Sequence, residues 1–223
     1  MFTGLVREIG TLRTVARRGS VTKLWVHAPV SAADLALGDS LAVNGICLTV
    51  TEIRGELVHL DAVTETREVT TLSGWRAGRR VHLEPALRAG DPLGGHLVLG
   101  HVDGVGVLRR RRTLGENLLL TFAAPAAVSG WLLPKGSIAV DGVSLTLDAG
   151  PFGETFTVSL IPHSLSWTRF GDMKTGERVN LEADVLAKGG SAREAMPAVE
   201  PKPAHTLTMN DITARGFRRG RRR

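Results

Sequence analysis

The chain repeats itself, and the repeat limits its possible folds more than any other feature. Residues 41–50 read LAVNGICLTV and residues 138–147 read IAVDGVSLTL, with five of ten positions identical. Residues 78–84 (GRRVHLE) and 176–182 (GERVNLE) agree at five of seven. These pairs lie 97 and 98 residues apart, and a fainter pair, Ile9-Gly10 against Val105-Gly106, lies 96 apart. Three pairs in the same order at near-constant spacing mean two copies of one unit of about 90 residues. Gly94, Gly95 and Gly100 mark the junction. The units are therefore placed at 1–97 and 98–188, with 189–223 as a separate C-terminal segment.

Each unit reads as β. Residues 24–27, 41–43, 47–53, 57–62 and 81–84 are short runs of alternating or β-branched residues separated by turn formers. Gly55 stands where a hairpin turn is needed. Residues 118–122, 138–140, 144–147, 156–160 and 179–182 repeat the layout. Many short strands at this spacing point to an all-β barrel or sandwich. Two short helices are expected at 31–37 and 126–133, the first with Ser31 as N-cap and Gly38 as its stop. Beyond Lys188 the chain carries Gly189-Gly190, then Pro197, Pro201 and Pro203, and reads as a flexible linker and tail. One helical turn at 209–214 is the most it promises.

The net charge of +6 is a property of that tail. Residues 215–223 hold six arginines and no acid, and the remaining 22 basic residues balance the 22 acidic ones. The repeats therefore show no excess charge for nucleic acid. The tail has an electrostatic attraction to RNA, DNA or anionic lipid, but a solvated terminus is the simpler reading. No stretch nears the roughly 18–20 apolar residues of a membrane helix. The first ten residues lack the layout of a signal peptide. One cysteine, Cys47, excludes an internal disulfide. The expected location is cytoplasmic.

The repeated motif is where chemistry is most plausible. Asn44-Gly45 and Asp141-Gly142 favour tight hairpin turns because both residue types tolerate positive φ. Three residues past each Asn or Asp sits a small nucleophile, Cys47 or Ser144. Thr49 and Thr146 follow two residues later, on the same strand face. A ligand would find hydroxyls, a thiol and backbone amides there; a hairpin packed on small polar residues is the structural alternative. His96 and His101 flank the junction, and His163 lies in Ile161-Pro162-His163-Ser164. His101 breaks the repeat, since Leu5 holds its place in the first unit. The 96/101 spacing does not match a helical zinc pair, and no metal is expected. The signatures of α/β-hydrolases, P-loop nucleotidases and dinucleotide-binding folds are missing.

Taken together, the residues resemble the riboflavin synthases of the alpha-chain type, built from two lumazine-binding repeats. The resemblance rests on Met1-Phe2-Thr3-Gly4, the segment 44–50 (NGICLTV), Gly94-Gly95-His96-Leu97 and Gly100-His101-Val102-Asp103-Gly104. It continues through Lys135-Gly136-Ser137, residues 141–146 (DGVSLT), residues 161–165 (IPHSL) and Asn180-Leu181-Glu182. It covers about residues 1–188.

The resemblance implies two tandem six-stranded Greek-key barrels related by a pseudo-twofold, with short helices and a C-terminal tail. It implies a homotrimer, and lumazine synthase as a possible further partner. The implied reaction is the dismutation of two 6,7-dimethyl-8-ribityllumazine molecules by four-carbon transfer, with no external cofactor. Each barrel binds one lumazine, and the reacting pair lies where the first barrel of one chain faces the second barrel of its neighbour. A non-catalytic lumazine or flavin carrier on the same fold is the alternative. By resemblance, Phe2, Ser40, Cys47, His101, Lys135, Ser144, Thr146 and Asp184 fall at or near the reacting pair. Ser144 and His101 are the implied activators of a water or hydroxyl and the implied proton-transfer groups, with Cys47 and Phe2 beside them. Thr49, Glu65, Thr66, Thr146, His163 and Ser164 are implied contacts for the pyrimidine edge and ribityl chain. Thr3, Gly4, Asp141 and Ile161 are counted with the substrate-binding residues. The sequence departs from the family where Arg67 and Glu68 follow Glu65-Thr66, and at Gly189-Gly190, which disfavours the terminal helix expected there.

Overall fold

A computed structural model describes residues 1–148 and 153–195, and in it both repeats adopt one strand permutation. The first contains β1 (Glu8–Arg18), β2 (Val21–His27), β3 (Ser40–Val43), β4 (Ile46–Arg54), β5 (Leu57–Val63) and β6 (Arg80–Pro85). They pair antiparallel in the order β1-β2-β5-β4-β3-β6 and close into a barrel. The second contains β7 (Gly104–Leu114), β8 (Asn117–Ala123), β9 (Ser137–Val140), β10 (Val143–Thr146), β11 (Thr155–Leu160) and β12 (Arg178–Ala183). Its order is β10-β9-β12-β7-β8-β11, the same cycle, and its end strands meet at a Leu147–Val158 bridge. Both barrels belong to one compact unit, Met1–Ser191.

Side-chain alternation explains the closure. β2 and β8 share one burial pattern, every second residue buried. Leu24, Val26, Leu41, Val43, Leu60 and Trp75 fill the first barrel; Leu120, Phe122, Val140, Phe156, Val158 and Phe170 fill the second. Strands β1 and β7 are the ones the hydrophobic pattern missed. Their distal halves are exposed and arginine-rich, so only Leu12 and Leu108 announce a core face. Both bulge at the same point of the repeat, between Leu12 and Thr14 and between Leu108 and Arg110.

The two expected Gly-turns are found, and they touch. Asn44 and Gly45 have φ of 45° and 76°, Asp141 and Gly142 of 44° and 78°. A Cβ on Gly45 would lie 2.7 Å from the Gly142 nitrogen, and one on Gly142 2.6 Å from the Gly45 nitrogen. Only glycine fits at this pseudo-axis. Around it the repeats interlock. Asn180 Nδ2 donates to the Asn44 carbonyl (2.8 Å), and Asn180 Oδ1 accepts from Thr71 N (2.8 Å). His82 does the same work opposite. Its Nδ1 lies 2.9 Å from the Asp141 carbonyl, and its Nε2 accepts from Arg169 N at 2.9 Å. An imidazole protonated only at Nδ1 thus stands where the other repeat has a carboxamide.

The helices differ most from expectation. Residues 31–37 give only a 3-10 turn, Ser31–Ala33. Ser31 is not its cap: the Glu8 carboxylate accepts from Val30 N and Ser31 N instead. Residues 126–133 shorten to α2 (Ala126–Ser129), ended by Gly130. Unexpected helices α1 (Thr64–Val69) and α3 (Pro162–Trp167) follow β5 and β11. Gly189-Gly190, expected to open the linker, lies inside a further helix, α4 (Val185–Ala195). Two glycines cost roughly 1 kcal/mol each in a helix. Offsetting ties come from Asp184 Oδ1, which accepts from Leu186 N, and from Lys188, whose Nζ reaches Asp103 at 2.6 Å and lies over the Trp131 ring. The expected turn at 209–214 and the arginine cluster lie outside the described residues.

Candidate active site

The segments that lead into the two barrels are exchanged. Phe2 and Val98 bond each other in both directions, Phe2 N to the Val98 carbonyl (2.7 Å) and Val98 N to the Phe2 carbonyl (3.1 Å). Each segment is then held by a buried carboxylate from its own barrel. Glu84 accepts from Thr3 N, Thr3 Oγ1 and Gly4 N; Glu182 accepts from Leu99 N and Gly100 N. The next residue crosses over. The Gly4 carbonyl accepts from Ser144 N (2.8 Å), and the Gly100 carbonyl accepts from Cys47 N (3.0 Å). A Cβ would lie 2.6 Å from Ser144 Cβ at Gly4 and 2.5 Å from Cys47 Cβ at Gly100. The glycines permit each barrel's nucleophile to sit against the other repeat's entry segment.

Two cavities result. The first, about 240 Å³, is lined by Cys47 from β4, Glu65, Thr66 and Val69 from α1, and His101 from the second repeat's entry segment. The second, about 640 Å³, is lined by Ser144 from β10, His163, Ser164 and Trp167 from α3, and Leu5 from the first repeat's entry segment. The two walls correspond through the repeat: Cys47 with Ser144, Glu65 with His163, Thr66 with Ser164, Val69 with Trp167, and Leu5 with His101. Within one chain, Ser144 and His101 therefore line different cavities. The residues expected to work together are divided between them.

Ser144 has another imidazole for a neighbour. His96 Nδ1 lies 2.7 Å from Ser144 Oγ. Burial holds His96 below the ordinary histidine pKa, with Asp184 opposing. A neutral ring protonated at Nε2 can accept the hydroxyl proton at Nδ1. The sequence singled out His96 beside His101 but gave no reason to pair it with Ser144, since the contact spans 48 positions. The cradle carboxylates are shifted the other way. Burial raises Glu84 against the bonds from Thr3 and Gly4. Burial raises Glu182 to about 7 against Leu99 N, Lys188 and Gly100 N, with Asp103 adding to the rise.

Other expected site residues fall into three groups. Ser40 and Thr49 are paired across β3 and β4, Ser40 at a recess of about 170 Å³ with Asp34 and Arg88, and Thr146 is exposed at the end of β10. Lys135 is exposed with φ of 62°, where the first repeat has Gly38, a conformation that costs a non-glycine residue about 1 kcal/mol. Asp184 caps α4, and Ile161 is exposed at the start of α3. Three residues are structural instead. Asp141 is fully buried, with Oδ1 accepting from Asn180 N and Oδ2 from Arg169 Nη2, so it has no face for a ligand. Thr3 spends its hydroxyl on Glu84. Phe2 is fully buried with Val98, Ala42 and Ala139, and its ring supports the Gly100 turn from beneath. Arg67 does not line the first cavity, because α1 turns residues 65, 66, 69 and 70 toward it.

This is a two-repeat, lumazine-binding type of fold with a corresponding cavity in each repeat. The sequence pattern of the lumazine binding domain matches residues 3–86 and 99–184. The riboflavin synthase of Bacillus subtilis is 38% identical over 97% of this chain and 100% of its own length. That of Brucella abortus is 37% identical over 84% of this chain and 95% of its own. In solved structures, LumP complexed with 6,7-dimethyl-8-ribityllumazine superposes with a TM-score of 0.74 at 23% identity, over 82% of this chain and 99% of that one. LumP complexed with riboflavin gives 0.75 at 24% over the same shares. The chain belongs to the riboflavin synthase family. Among the described residues no helix is long and apolar enough to cross a membrane.

Proposed function

We infer that the chain makes riboflavin from two molecules of 6,7-dimethyl-8-ribityllumazine. One donates a four-carbon unit and leaves as 5-amino-6-ribitylamino-pyrimidinedione; the other accepts it and becomes riboflavin. The atoms balance between two identical substrates, so no external oxidant or cofactor is required. The observation that carries this reading is the pair of corresponding cavities with unlike walls. A dismutation needs two copies of one molecule held in two different chemical settings, and holding them together is a large part of the rate.

Ser144, backed by His96, is positioned to activate a hydroxyl or water at the electrophilic ring. His101, beside Cys47 and Glu65, is the proton-transfer group of the other cavity. Thr49, Thr66, Thr146, Ser164 and His163 are assigned to the ligands' polar edges, with Ser40, Lys135 and Asp184 nearby. Because His101 and Ser144 line separate cavities in one chain, the reacting pair forms where the first cavity of one chain meets the second of another. A homotrimer in the cytoplasm is the assembly that fits, and exposed Val63, Ile161 and Leu5 supply apolar surface for it. Contact with lumazine synthase, or of the arginine-rich tail with nucleic acid, is compatible with this reading and not required by it.

Purified protein mixed with the lumazine is followed by absorbance and fluorescence, beside Ser144→Ala and with the mass measured by light scattering. Riboflavin formation slowed by the variant supports the synthase reading. Tight binding of the lumazine without turnover moves it to a carrier.

A further inference from the structure

We propose that Trp167 is a ligand-contacting residue of the second cavity, and that its indole gives that cavity a preference for the tricyclic flavin over the bicyclic lumazine. The proposal rests on the lumazine-binding reading and specifies which wall does the discriminating. Trp167 is 53% exposed, while Trp75 is 1% exposed and packed in the first core. Half of the indole is thus open at the wall of the cavity, where a bound molecule can reach its face. α3 places it one turn from His163, with ring centroids 6.4 Å apart and planes tilted by 37°. The two rings form a corner. Leu5, Val6 and Val143 stand with them around the cavity.

The repeat provides the control inside the same molecule. Val69 holds the corresponding position on α1, at a cavity of about 240 Å³ against about 640 Å³ here. Every fused heteroaromatic ring presents a π-face to an indole, and stacking on an aromatic side chain is worth about a tenfold change in affinity or more. A valine offers contact but no stacking. A third fused ring adds area to lay on the indole, so the flavin gains more from Trp167 than the lumazine does.

The test uses Trp167→Val, which copies the first repeat, and Trp167→Phe, which keeps an aromatic face. Riboflavin and 6,7-dimethyl-8-ribityllumazine are each titrated by their own fluorescence and by quenching of tryptophan emission, with thermal midpoints confirming that the variants fold. Trp167→Val is expected to weaken riboflavin binding about tenfold and lumazine binding about threefold, and to raise KM for riboflavin formation while kcat stays within about twofold. Trp167→Phe is expected to stay within about threefold of the unaltered chain. Unchanged riboflavin affinity and KM in Trp167→Val overturn the proposal. If the unaltered chain binds both molecules without turnover, the synthase reading fails while the binding comparison still decides the role of Trp167. If it binds neither, both fall.

Discussion

The two barrels share a strand order, a bulge position and a glutamate cradle, yet they differ at most of the side chains that face the axis or a cavity, Val6 with Val102 and Thr70 with Thr168 being matched cavity pairs that do not. At the axis, Asn44 and Thr71 of the first repeat meet Asp141 and Arg169 of the second. Asp141 Oδ2 lies 3.1 Å from Arg169 Nη2, both buried, whereas Asn44 Nδ2 has no hydrogen-bond partner among the described residues. Burial works against the Arg169 guanidinium, but Asp141 and Glu177 outweigh it and raise its pKa. The same duplicated backbone thus supports an amide on one side and an ion pair on the other. Duplication fixed the scaffold, and the differences accumulated where one copy contacts a different surface from its twin.

Breaking the ion pair tests that asymmetry most severely. Asp141→Ala leaves the buried Arg169 guanidinium with Glu177 alone and Asn180 N without its acceptor, and is expected to cost about 3–5 kcal/mol. Asn44→Ala removes one buried amide and is expected to cost about 1–3 kcal/mol. Denaturant midpoints of the two variants should therefore differ, with Asp141→Ala the lower; equal midpoints would mean that the axis treats both repeats alike.

The cavities come next. Removing a positioned proton-transfer group costs about a hundredfold or more in rate, so Ser144→Ala should slow riboflavin formation about a hundredfold. Cys47→Ser makes the first nucleophile identical to the second and should slow it less than tenfold, because a hydroxyl keeps a small polar atom on the same cavity wall. A Cys47→Ser defect as deep as that of Ser144→Ala would reverse the division of labour between the barrels.

His82 and Asn180 offer a comparison that pH can read. Burial lowers His82 to about 4 from 6.5, partly countered by Asp141 and reinforced by Arg169 and Arg80. The unfolded chain then binds more protons than the folded one between those values, so this residue's contribution is whole above pH 6.5 and is lost as pH falls toward 4. Glu182, raised to about 7, acts oppositely: its contribution to stability declines as pH rises from 4.5 through 7. His82→Asn copies the other repeat and cannot titrate. It is expected to be within about 1 kcal/mol of the unaltered chain at pH 7.5 and roughly 2 kcal/mol more stable at pH 5. Thermal midpoints at both values check this, and no gain at pH 5 would mean that His82 is not held neutral.

How much of this was readable beforehand follows the same contrast. The repeat made the barrels legible, because ten strands carry apolar alternation and two turns carry Asn-Gly or Asp-Gly. It hid β1 and β7, whose arginines face solvent, and α1 and α3, which are too short for a helical period to register. Cys47 and Ser144 were visible because each follows the repeated Asn-Gly or Asp-Gly turn, and His101 because it interrupts the repeat. Their grouping was not, because the crossover of Gly4 and Gly100 depends on carboxylates 80 and 82 residues away. Asp141 was misread for a related reason. A polar residue in a repeated turn gives no sign in the sequence of whether it faces a ligand or the other barrel.

Arg67 carries the smallest expected effect. In the sequence it marks a departure from the family, since Arg67 and Glu68 follow Glu65-Thr66. On a helix, however, the residues one turn apart share a face, and α1 gives 65, 66, 69 and 70 to the cavity. Arg67 sits on another face and is partly exposed. Arg67→Leu should therefore leave kcat/KM for riboflavin formation within about twofold and shift stability by no more than about 0.5 kcal/mol. Val69→Trp, made beside it, should change ligand affinity in the first cavity, because that position faces inward. If Arg67→Leu instead alters KM while Val69→Trp does not, α1 presents its other face to the ligand, and the correspondence between the two cavity walls fails at the helix on which it was drawn.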